Sequence, residues 1–250
     1  DHYPSSYENC VSVASTTSTD SRSSFSSFGF NVDVSAPGSN ILATDFDDTY
    51  STQSGTSMAS PIAAGCAAMI KSKFPSMNAL QVAEQLRSTA DNIYSVPGNS
   101  PYISKLGKGR VNLFRAVTDS ISPGVVVKKI NVTDGNDGVF VIGDTLNVSN
   151  LLWNLLRPTT NLTCTIAAPT TPFVQILNNT HTVGVLSTND TLSNFAAPYR
   201  IVVLPGTPLN LEVVLRITIN DGSWSDVFSF KVIINEDYIN INVNDIATSI

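Results

Sequence analysis

Gly55-Thr56-Ser57-Met58-Ala59-Ser60-Pro61 sets a hydroxyl at the head of a long run of small and apolar residues. After Ser57 the run continues through Ile62, Ala63, Ala64, Cys66, Ala67, Ala68, Met69 and Ile70, and Lys71 and Lys73 follow where cations favour the end of a helix. This predicts a buried helix with Thr56 or Ser57 as its cap and Pro61 in its first turn, where a missing N–H is tolerated. The Ser57 amide would then face outward at the positive end of the helix, a place suited to an oxyanion. By spacing alone two readings stand: an ordinary capped core helix, or a nucleophile held at a helix start. A serine hydroxyl needs an adjacent base, usually a histidine oriented by a carboxylate. The sequence has only His2 and His181, neither in a catalytic context.

Outward from the helix, Val11 to Ser15, Val32 to Val34 and Ile41 to Thr44 read as short strands, with a turn at Pro37-Gly38. Leu80, Val82, Ala83 and Leu86 recur at helical spacing after a cap at Ser76, and a short helix covers Asn112 to Val117. This half is α/β. Composition shifts at Ser122-Pro123-Gly124. Beyond it strand-length runs alternate with turn signals: Val125 to Val132, Thr145 to Leu152, Asn161 to Ile166, Phe173 to Leu177, Tyr199 to Leu204, Leu211 to Ile219 and Val227 to Ile234. Seven or eight strands without a helix predict an all-β sandwich. His181 falls in a polar, turn-rich stretch and reads as a surface residue. Tyr238, Ile239, Ile241 and Val243 read as the first strand of a further segment.

A chain of 250 residues with 42% hydrophobic content has enough apolar surface for real cores. A net charge of −6 argues against nucleic acid or an anionic membrane as partner, because both demand clustered Lys and Arg. No apolar run approaches a membrane span of about 18 residues. Cys10, Cys66 and Cys164 show no metal spacing and read as small buried hydrophobes, with a Cys10 to Cys66 disulfide left open. No cofactor is implied. The Asp134-Gly135-Asn136-Asp137-Gly138 cluster has oxygen ligands of the kind calcium takes, but it misses the EF-hand pattern and reads as a solvated hairpin turn. Trp153 and Trp224 read as packing residues. Five Asn-x-Ser/Thr triplets, at Asn131, Asn147, Asn161, Asn178 and Asn189, are of the frequency that a Thr- and Asn-rich composition produces.

The string Gly55 to Pro61 closely resembles the nucleophile motif of subtilisin-like serine proteases, the subtilases. Tyr3-Pro4-Ser5-Ser6-Tyr7, Val11-Ser12-Val13-Ala14, Arg22 to Gly29, Val32-Asp33-Val34-Ser35-Ala36-Pro37-Gly38 and Gly107-Lys108-Gly109-Arg110-Val111-Asn112 follow that family's order and approximate spacing. The resemblance implies a mostly parallel sheet, Ser57 as catalytic nucleophile, Thr56 and Gly55 as substrate-facing wall, and protein or peptide substrates outside the cell. It also implies that the family's aspartate, histidine and oxyanion asparagine precede residue 1, so that residues 1–121 are the C-terminal part of a catalytic domain. Ile62 departs from the family, which often has histidine there, and reads as a packing change. Gly143-Asp144-Thr145-Leu146, Asp221-Gly222-Ser223-Trp224 and Phe228-Ser229-Phe230 resemble the immunoglobulin-like accessory domains of secreted bacterial proteases, which makes 124–236 such a domain and 237–250 the start of another segment.

Two function classes follow. One is a serine endopeptidase, with these residues as a fragment inactive by itself. The other is a non-catalytic interaction protein, either a pseudoenzyme or a module whose sandwich is the useful part. Substrate preference and oligomeric state are not readable from these motifs.

Overall fold

The computed structural model describes residues 3–7 and 9–237. Strands β1 (Val13–Thr16) and β2 (Val34–Pro37) pair in parallel, with Val13 opposite Val34 and Thr16 opposite Pro37. Both begin two residues later than predicted and end one to three residues later. Strands β3 (Ile41–Asp45) and β4 (Thr49–Gln53) form an antiparallel ribbon. Asp47 and Asp48, both left-handed with φ of 54° and 53°, make its turn. Thr49–Gln53 was not predicted as a strand. Its residues are polar or exposed on both faces, so no alternation marks it.

Helix α1 (Thr56–Lys73) corrects three expectations. Gly55 is its cap, with no side-chain capping bond, because Thr56 and Ser57 already have helical backbone. Pro61 is its sixth residue and falls in the second turn. Only Ala59, Ala63, Cys66 and Ile70 are buried, a single stripe one residue wide. Pro61, Ala64, Gly65, Ala68 and Met69 are exposed. A helix apolar all round buries only the faces that have neighbours, and here β1, β2 and two further helices touch one side. Helix α2 (Ala79–Ser88) starts at Asn78 instead of Ser76. Asn78 Oδ1 accepts from the Gln81 amide at 2.9 Å and the Gln81 side chain accepts from the Asn78 amide at 3.0 Å. This reciprocal box satisfies two orphan amides, which a lone serine two residues earlier does not. Helix α3 (Leu113–Thr118) is capped by Asn112.

The second half is two antiparallel sheets facing across one core. The first joins β5 (Val125–Thr133), β6 (Thr145–Asn154), β8 (Val174–Asn178), β10 (Thr191–Ser193) and β11 (Tyr199–Val203). The second has the order β13-β12-β7-β9, with β7 (Leu162–Ala167), β9 (Thr180–Gly184), β12 (Leu211–Asp221) and β13 (Trp224–Ile234). Alternation drives the packing: in β12, Val213, Leu215, Ile217 and Ile219 are buried while Glu212 and Asn220 face water. They meet Leu146, Val148 and Leu152 of β6 and Ile201 and Val203 of β11 in a single cluster. A single residue, Asn179, separates β8 from β9, and there the chain crosses from one sheet to the other.

His181 is not a turn residue. It pairs with Cys164 in the β7–β9 ladder, half-buried, and burial holds its imidazole pKa below the usual value. Strands β9 and β10 escaped prediction because Thr, His and Ser dominate them. Cys10 is exposed, contrary to expectation, because its stretch lies outside β1; Cys66 and Cys164 are buried and all three thiols are free. His2 and the apolar stretch from Tyr238 onward lie outside the described residues.

Candidate active site

The Ser57 side chain is exposed at the second position of α1, and Thr56 beside it is half-buried. The first amides of a helix have no acceptor within it, so those of Thr56 and Ser57 sit at its positive end. What fixes this end is a close backbone approach. The Gly55 amide donates to the Gly38 carbonyl at 2.8 Å, the Gly38 amide donates to the Thr16 carbonyl at 3.0 Å, and the Met58 amide donates to the Gly55 carbonyl at 3.0 Å. A Cβ at Gly38 would lie 2.4 Å from Ser15 Oγ and 2.6 Å from the Gly55 carbonyl oxygen. Glycine is therefore required where the end of β2 meets the head of α1.

Beneath Gly38 lies a hydroxyl chain that sequence reasoning missed. Ser15 Oγ and Ser23 Oγ share a 2.8 Å hydrogen bond, Ser23 Oγ and Ser39 Oγ one of 2.7 Å, and Ser26 Oγ accepts from the Ser15 amide at 2.9 Å. Ser15, Ser23 and Ser26 are buried. Buried hydroxyls that are mutually paired carry no desolvation deficit and hold the loop from Ser21 to Ser27 against β1. The only sequence signal was the density of serine between Ser21 and Ser27.

The glycine-rich segment after the single 3-10 turn Ser100–Tyr102 is held as tightly. Gly107 and Gly109 have φ of 68° and 138°, and a Cβ on Gly109 would meet the Asp91 carbonyl oxygen at 1.9 Å. Arg110 then bridges Asp20 at 2.9 Å and Asp91 at 2.8 Å, while Asn112 and Arg115 also reach Asp91. Ser35 of β2 donates its amide to the Gly109 carbonyl at 2.7 Å, so this segment borders the parallel pair.

Of the residues expected at the site, the structure brings Gly55, Thr56 and Ser57 together at one helix head. Among the described residues it brings no imidazole to them: His181 sits on β9, in the other half of the chain. Three clefts of about 320, 460 and 700 Å³ lie where the two halves meet, and Ser57 lines none of them. Among the described residues no group of three or more His, Cys, Asp or Glu side chains is placed to hold a metal.

Residues 2–122 match the Peptidase_S8 subtilase family. The match covers just under half of the chain. Over 111 residues the chain is 43% identical to subtilisin DY of Bacillus licheniformis, covering 44% of this chain and 38% of that protein. Over 116 residues it is 44% identical to thermitase of Thermoactinomyces vulgaris, covering 46% and 39%. A cold-adapted subtilisin-like serine proteinase of known structure shares 40% identity over 44% of this chain and 37% of its own, with a TM-score of 0.37. The chain spans less than two fifths of the length of these relatives. Within the matched segment, Ile62 is partly buried and packs against the cluster that includes Val34, Ala59, Ala63 and Ile70.

Proposed function

We propose that this chain is part of a subtilisin-type serine endopeptidase in which Ser57 is the nucleophile. The observation that carries the reading is an exposed serine at the head of α1, inside the segment that matches the subtilase family. In the reaction Ser57 Oγ adds to the scissile carbonyl as its proton passes to a histidine. The carbonyl electron pair moves onto oxygen, where the Ser57 amide helps to hold it. Thr56 and Gly55 form the adjoining wall, and protein or peptide chains are the substrates. The histidine, its aspartate and a further oxyanion donor are supplied by polypeptide other than the described residues, which have no imidazole besides that of His181.

The remainder of the reading concerns organisation. Residues 1–121 form the catalytic part, and 124–236 an immunoglobulin-like accessory sandwich, supported by its two facing sheets and its β12–β13 hairpin. The protein acts outside the cell. Among the described residues no helix is long and apolar enough to cross a membrane, and the relatives include subtilisin DY of Bacillus licheniformis.

A fluorophosphonate probe tests the nucleophile. The 250-residue chain should not be labelled, because a serine without a base is not activated. The product of the intact gene should be labelled rapidly, and Ser57→Ala should abolish that labelling. Labelling of the intact product that survives Ser57→Ala would overturn the assignment, and rapid labelling of the 250-residue chain would show that the base is already present.

A further inference from the structure

The boundary between the two halves contains four charged side chains that the proposed chemistry does not use. Glu84 and Arg87 lie one turn apart on α2, Lys108 lies in the glycine-rich segment, and Asp226 lies on β13. Arg87 Nη2 reaches Asp226 Oδ2 at 2.5 Å, and Lys108 Nζ reaches Asp226 Oδ1 at 2.9 Å. On its other side Arg87 grips Glu84 with Nε at 2.8 Å and Nη2 at 2.9 Å. Lys108 also donates to the Ser225 carbonyl and lies over the Trp224 ring, 5.7 Å from its centroid. Glu84 is 3% exposed and Asp226 5%, so neither carboxylate is a solvated surface charge.

The charges balance, two against two, and they come from opposite sides of the boundary. Asp226 is the sandwich's single member, shared between a cation of α2 and a cation of the glycine-rich segment. A buried carboxylate with two cations is well compensated; without it Arg87 keeps only Glu84, and half-buried Lys108 loses its carboxylate. Beside the cluster the fit is steric. Gly124, the first residue after Pro123, leaves no room for a side chain: a Cβ there would lie 2.6 Å from Glu84 Cγ and 2.7 Å from Leu156 Cγ. Gln81 Nε2 donates to the Leu155 carbonyl at 2.9 Å, adding a neutral bond across the same seam.

We propose that Glu84, Arg87, Lys108 and Asp226 form a charge-balanced joint that docks the sandwich onto α2 and the glycine-rich segment, so that the two halves unfold as one unit. The partner of this α2 surface is the chain's own β12–β13 hairpin. The inference rests on contacts remote from Ser57 and needs no catalytic activity for its test.

The two halves carry separate reporters. Both tryptophans, Trp153 and Trp224, are in the second half, and among the described residues all three α-helices are in the first. In a urea titration of the 250-residue chain, tryptophan fluorescence and helical circular dichroism should fall together. In Asp226→Asn the two midpoints should separate by more than about 0.5 M urea, with new protease cleavage between Ser120 and Gly124. Adding Lys108→Met removes one uncompensated cation and should bring the midpoints back toward each other. Glu212→Gln, which removes an exposed pair with Lys231 in the same hairpin, should leave them coincident. If Asp226→Asn does not fold, Arg87→Met reads the joint from the other side, and it too should separate the midpoints. Coincident midpoints in whichever of these two variants folds would overturn the joint, as would separate midpoints in the parent chain.

Discussion

The sandwich and the half that matches the subtilase family bury their apolar residues differently. The sandwich draws 18 buried residues from both sheets into one cluster, including large side chains such as Tyr199, Leu215 and Ile217. The matched half divides most of its buried apolar residues between clusters of 10 and 3, and four of the ten are alanine. Its most apolar element, α1, lies with one narrow stripe inward and alanine, glycine and methionine outward. Apolar composition therefore does not set burial by itself. A sheet pair supplies both walls of its own core, whereas a helix needs neighbours on each apolar face.

The largest expected effect tests that contrast directly. Ile217 and Ile70 are both wholly buried, one between the sheets and one on α1. Ile217→Ala should cost about 3–5 kcal/mol and Ile70→Ala about 2–3 kcal/mol, because cost rises with the cavity left and the small neighbours of Ile70 can close in. Urea unfolding followed by tryptophan fluorescence and helical dichroism measures both. An Ile70→Ala cost equal to or above that of Ile217→Ala would break the comparison.

A smaller effect sharpens it at the seam between the halves. Burial pushes the Asp226 carboxyl up, but Arg87 and Lys108 outweigh it and hold the pKa below the ordinary aspartate value. The unfolded chain then binds this proton more readily. The stability contributed by Asp226 is present above the ordinary aspartate range and lost as pH falls through the lower folded value. Burial raises the Glu84 pKa, with Arg87 pulling only partly against it, so Glu84 takes its proton first. That step has the opposite sign: the folded form holds the proton more tightly, and its stability rises as pH falls from the raised value toward the ordinary glutamate range. Melting temperature against pH should show a mild-acid maximum. Glu84→Gln should remove its alkaline-side slope and Asp226→Asn should weaken its acid limb; an unchanged acid limb in Asp226→Asn would contradict the assignment.

Legibility in the sequence follows the same contrast. Strands β6, β7, β12 and β13 were readable because their alternation is written in Val, Ile and Leu. Strands β4, β9 and β10 were not, because exposed Thr and Ser carry no period. The α1 helix was readable as a helix, but its facing was not, since a run apolar on every side has no direction. At the candidate site Gly55, Thr56 and Ser57 were legible from seven adjacent residues. The serine chain under Gly38 and the joint at Asp226 were not, because they depend on side chains brought together over long separations, 118 residues between Lys108 and Asp226. The cap at Asn78 was missed for a local reason, the competing signal of Ser76.

The smallest expected effect concerns the outward face of α1. Met69 is 54% exposed and lies one turn on from exposed Gly65, beside exposed Ala68, while its neighbour Ile70 is wholly buried. A residue that gives up little apolar surface on folding contributes little to stability, so Met69→Gln should change the unfolding free energy by no more than about 0.5 kcal/mol. Glutamine is also nearly as good a helix former as methionine, so backbone propensity adds almost nothing. The substitution does remove apolar area from a face made of small residues, and self-association in sedimentation should fall or stay the same. Ile70→Ala, one position away, serves as the internal standard. A Met69→Gln cost above about 1 kcal/mol would mean that this face is covered by something besides water, and the difference between the halves would then lie in what packs on α1 and not in how its own residues are arranged.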